Sequence, residues 1–111
     1  MTEQEFYDRT MVRLEGKDFQ KMHNDYCDSP LDKDEYCKQW VCKQYSNACE
    51  KANNLLQDLK DINADIKAYL KDGSRQGELK GLQVVRHQTM VRLWEASRTV
   101  NKLRSIMTTI L

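Results

Sequence analysis

The chain has 111 residues, 40% hydrophobic and 32% charged, with one proline, four glycines and a formal net charge of +1. That composition suits a single helix-rich domain and argues against a sandwich or a disordered tail. No apolar run approaches the roughly 18 residues of a membrane span, and the opening Met-Thr-Glu-Gln-Glu has no apolar secretory stretch. A reducing, cytoplasmic setting with free thiols is the expectation.

Two short helices are expected over residues 1–28. Thr2-Glu-Gln-Glu5 fits a capping box, in which hydroxyl and carboxylate satisfy orphan amides at a helix start. Tyr7, Met11 and Leu14 follow at helical spacing, and Gly16 offers a C-terminal cap. Asp18 can cap a second helix with Phe19, Met22 and Tyr26 on one face. Asp28-Ser29-Pro30 then breaks the chain. Ser29 is the expected cap of the next helix and Pro30 its first residue, with Asp32, Asp34 and Glu35 complementing the dipole.

Residues 29–72 read as one long helix. Val41, Tyr45, Ala48, Ala52, Leu55, Leu59, Ile62, Ile66 and Tyr69 alternate steps of four and three, an unbroken heptad seam. Cys42, Cys49, Leu56 and Leu70 widen the stripe on one side, as in helices of bundles. Residues 73–77, Gly-Ser-Arg-Gln-Gly, read as a turn. Residues 78–111 form another long helix, with Leu79, Leu82, Leu93, Ala96, Val100, Leu103, Met107 and Ile110 on its seam.

The two seams test each other, because facing residues of an antiparallel hairpin have a constant sum of numbers. A sum of 148 pairs Tyr69 with Leu79, Ile66 with Leu82, Leu55 with Leu93 and Ala52 with Ala96. It continues through Ala48 with Val100, Tyr45 with Leu103 and Val41 with Met107. The expected fold is therefore all-α: a long antiparallel, coiled-coil-like hairpin with two short N-terminal helices packed across it, forming a bundle. Two layers carry polar residues, where Leu59 faces Thr89 and Ile62 faces Arg86. Asp61 and Asp65 come within reach of Arg86 in this register, so an ion pair that sets the register is expected there.

The cysteines do not read as a metal or redox motif. Cys37-Lys-Gln and Cys42-Lys-Gln repeat five residues apart, a rotation of about 140°, and no CxxC occurs. Cys42 and Cys49 share a face but stand about 10.5 Å apart along the axis, too far to bridge. His23, Cys27 and Cys37 form the one alternative metal set, and a fourth ligand with clear spacing is missing. The expectation is no metal and no cofactor. The acidic run around Asp32 lacks the central glycine of a calcium loop.

A second stripe, Val84, His87, Val91 and Trp94, lies off the hairpin seam at steps of three, four and three. It can pack against the N-terminal helices or serve as an interface anchored by Trp94. Charge is also uneven: residues 1–74 hold 11 Lys/Arg and 15 Asp/Glu, a balance of −4, and residues 75–111 hold 7 and 2, a balance of +5. Arg86, Arg92, Arg98 and Arg104 recur every six residues, about 120° apart, so they make no single phosphate-tracking stripe. Attraction between the two halves explains the asymmetry more simply.

No phosphate loop, catalytic triad or paired-carboxylate metal motif occurs. The functional expectation is a non-enzymatic helical interaction module acting by surface occupation: an adaptor, an assembly chaperone or an inhibitor of the kind phages direct at host proteins. Its partner is a protein, with a homo-oligomer, a dimer above all, expected as well and no membrane association. The alternative is a nucleic-acid or anionic-ligand binder using the basic C-terminal helix.

Overall fold

The computed structural model describes residues 1–73 and 76–111. Its four helices are α1 (Glu3–Thr10), α2 (Gly16–Cys27), α3 (Lys33–Lys71) and α4 (Gln76–Ile110), with α3 and α4 antiparallel. The all-α bundle expected from the seams is the fold observed. Its 39-residue α3 is roughly 58 Å long at 1.5 Å per residue.

The helix ends follow local chemistry. The capping box at Thr2 forms, with the Glu5 amide donating to Thr2 Oγ1 and the Thr2 amide to Glu5 Oε1, each at 3.1 Å. α1 then stops at Thr10. Met11 takes the left-handed conformation (φ 58°) and donates its amide to the Tyr7 carbonyl at 2.8 Å, so Met11 is the C-cap and not Gly16. The early stop breaks the helical phase on which Tyr7, Met11 and Leu14 lined up. Tyr7 and Met11 are exposed, and Phe6 and Thr10 are buried in their place.

Gly16 opens α2, which leaves Asp18 in its first turn rather than at the cap. The Asp32 carboxylate accepts the Glu35 amide at 2.8 Å, so Asp32 caps α3. Ser29 instead accepts the Leu31 amide at 3.2 Å in the preceding turn, and Pro30 precedes the helix. A carboxylate three residues before an acceptor-poor amide outcompetes the more distant hydroxyl. α4 begins at Gln76, so Gln76 and Gly77 are helical where a turn was expected. Ser74 and Arg75 of that expected turn lie outside the described residues.

The chain resolves into two compact units, residues 1–46 with 101–111, and residues 47–100. The first has a true core. Phe6, Met22, Tyr36 and Cys37 are its buried centre, with Phe19, Tyr26, Leu31 and Trp40 packed around them. Phe6 meets Trp40 edge-on at 4.9 Å, and Tyr26 meets Tyr36 at 5.2 Å. Arg9 with Asp34 and Lys33 with Glu5 are ion-paired between α1 and the start of α3. Val41, Leu103 and Ile106 are buried as well, and the Arg104 guanidinium reaches the Tyr45 hydroxyl at 3.4 Å, one residue from the Tyr45–Leu103 layer.

The second unit is the two-helix stretch 47–100. Ala48, Ala52, Leu55, Leu59, Ile62, Ile66 and Tyr69 on α3 are all at least half-screened from solvent, as are Leu79, Leu82, Leu93, Ala96 and Val100 on α4. The screened set is the seam. Few of these side chains are fully covered, because two helices packed on each other bury one face each.

Candidate interaction surface

The polar seam layers resolve differently from one another. Thr89 is buried at 7% exposure, and its hydroxyl donates to the Val85 carbonyl at 2.8 Å, within its own helix. That bond satisfies the hydroxyl without a partner across the seam. Arg86 is exposed, and Asp61 accepts from the Gln57 amide at 3.0 Å. Asp65 is exposed too. Neither ion pair described above involves Arg86, whose long side chain leaves the apolar layer for water.

The alternative metal set is dispersed. His23 Nε2 and Cys27 Sγ lie 3.5 Å apart on one face of α2, the i and i+4 spacing of a helix. Cys37 is 1% exposed inside the first unit's core, where its thiol approaches the Met1 sulfur at 3.7 Å. Burial pushes that thiol up to about 11, with Asp34 adding to the rise, so it stays protonated at neutral pH. Among the described residues no group of three or more His, Cys, Asp or Glu side chains is placed to hold a metal ion. Tyr36 donates to Asp25 Oδ2 at 2.7 Å, and burial together with that carboxylate raises its pKa far above the ordinary phenol value.

The sequence-derived stripe on α4 is placed by the seam itself. Once Leu82, Thr89, Leu93 and Ala96 turn toward α3, residues 84, 87, 91 and 94 stand roughly half a turn away at 100° per residue. Trp94 is 62% exposed, Val84 57% and Val91 42%, and His87 is exposed beside them. The Arg98 guanidinium lies 4.8 Å over the Trp94 ring, a cation–π contact one helical turn on. A shallow open depression lined by Lys80, Gln83, Val84, His87 and Gln88 indents the same face.

Four further exposed apolar side chains belong to this unit. Leu56 and Leu70 flank the seam on α3, and Val85 and Met90 flank it on α4. The flanking leucines were legible as a widened stripe. Met90, three residues after His87 and four before Trp94, also keeps helical spacing with the stripe but lies nearer the seam than Val84 and Val91, so the stripe pattern does not single it out. Among the described residues, this surface brings no nucleophile and base together. It offers apolar area with cations at its edges. Compared with known protein families, curated proteins and solved structures, the chain matches none.

Proposed function

We propose that the protein is a non-enzymatic helical interaction module that works by seating another protein on the outward face of α4. The observation carrying this reading is Trp94, 62% exposed, standing in line with Val84 and Val91 on a helix whose other face is engaged by α3. A tryptophan held open to water with an arginine stacked on it has the composition of an interface anchor. Apolar side chains at one-turn intervals on a rigid helix also need little ordering when a partner arrives.

The test is site-specific photo-crosslinking in the native cell from position 88, at the rim of the face. A discrete crosslinked partner, lost on Trp94→Ala while circular dichroism of the variant is unchanged, supports the module. Crosslinking that is absent, or indifferent to Trp94→Ala, refutes it.

A further inference from the structure

The 47–100 unit is two-sided. In an antiparallel pair, residues flanking the seam on one side of α3 meet the matching flank of α4. On one side these are Cys49, Leu56, Asn63 and Leu70 of α3 and Gln83, Met90 and Ser97 of α4. Next round the same side stand Lys60 and Lys67 of α3, then Lys80, His87 and Trp94 of α4. The opposite side carries Asp58, Asp61 and Asp65 on α3 and Glu78 and Glu95 on α4, with Lys51 and Arg92 as its cations. The side that holds Trp94 therefore has three exposed lysines and no carboxylate, and Arg98 stands at its edge over the Trp94 ring.

We infer that this side binds an acidic amphipathic helix of another protein, laid as a third helix in the groove between α3 and α4. The inference rests on the interaction-module reading above and specifies its partner, seated against the Trp94 edge of that face rather than over Val84 and Val91. By helical phase Leu56, Leu70 and Met90 flank the line where α3 and α4 meet and Trp94 stands further round the same side, all four exposed; Leu56 and Leu70, two heptads apart with Asn63 between them, give a partner helix's apolar stripe two points of contact on α3. Carboxylates flanking that stripe on the partner would then face Lys60, Lys67 and Lys80.

Charge argues against a second copy of this chain. A two-fold pairing of the side with itself sets lysines against lysines, and like charges at close range are penalised. Packing it on the acidic side of another copy satisfies charge, but Val85 is the large exposed apolar residue there and supplies little to meet Trp94. A bilayer or a nucleic acid would neutralise the lysines. Neither reaches into a groove between two helices as a helix does.

A displayed library of 21-residue helical peptides settles the point. Leucines occupy the apolar stripe, and the flanking positions are randomised among Glu, Gln and Lys. Selection on the full chain is expected to enrich Glu at the flanks. A synthesised winner should bind at least tenfold more tightly than its Glu→Lys counterpart at low salt, with the gap narrowing as salt rises. The chain carrying Lys60→Glu, Lys67→Glu and Lys80→Glu should invert the preference. The peptide pair on the unaltered chain gives the answer even where that variant does not fold. Trp94-dependent binding with no charge preference overturns the acidic partner and leaves the module reading standing. Enrichment of no peptide overturns both. A dimer dissolved by Trp94→Ala, or tighter binding to phosphatidylserine vesicles or duplex DNA than to any peptide, assigns the side to a different occupant and overturns the inference.

Discussion

At the scale of single residues, the N-terminal unit holds several perturbed groups. The Lys33 ammonium, aided by the Thr2 amide, holds the Glu5 carboxylate at about 2, against an ordinary value of about 4.3. The native state thus holds this site deprotonated at pH values where the unfolded chain has taken up a proton. Its stabilisation is complete above the unfolded value and is lost as pH falls toward 2. Lys33→Met should return the Glu5 titration toward the ordinary value by NMR and flatten the loss of stability between pH 5 and pH 2. An unmoved Glu5 titration would refute the pairing.

The cysteines separate on the same scale. Cys27 is exposed and Cys37 buried, with its thiol pushed up to about 11. In the native protein a thiol reagent should label Cys27 rapidly and Cys37 only after denaturant, each site followed by mass spectrometry. Equal labelling rates would show that the core around Cys37 opens freely.

At the scale of helices, the hairpin depends on small residues as much as large ones. Ala96 is 7% exposed, and Ala52, opposite it in the register of the seams, is half-screened. Ala52→Leu should overpack this layer and cost about 1 to 3 kcal/mol in a denaturant titration. A surface-facing Ala52 would tolerate leucine without loss, which would sink the register. Helix ends behaved differently from helix interiors. The long apolar periodicities put α3 and α4 where they are, while the termini were decided by which group reached an orphan amide first. Asp32 displaced Ser29 as the cap of α3, and Met11 displaced Gly16 as the cap of α1.

At the scale of the whole molecule, packing is unequal. Phe6 has no exposed surface and touches Trp40, whereas Trp94 is mostly in water. Phe6→Ala should therefore cost about 3 to 5 kcal/mol, and Trp94→Ala about 0.5 kcal/mol or less, both measured by equilibrium unfolding. Comparable losses would mean that Trp94 is covered in solution by its own chain. The apolar faces of the N-terminal helices close around Tyr36 and Cys37.

The sequence by itself determined the four-helix, all-α architecture and the seam that joins α3 to α4. Heptad spacing is a local property that one strand of text records, and two seams of matching register leave little freedom. It also marked Val84, His87, Val91 and Trp94 as a second face, since helical phase alone sets them off the seam. Only the tertiary structure decided which apolar residues are buried near the N-terminus. Phe6 replaced Tyr7 and Met11 because α1 ended one turn early, and that stop depends on hydrogen bonds made by Thr10 and Met11. It also decided that Arg86 stays in water and that Thr89 bonds within its own helix. Spacing reports which residues share a face; which of them water leaves depends on what packs against that face, and that is a property of the folded chain.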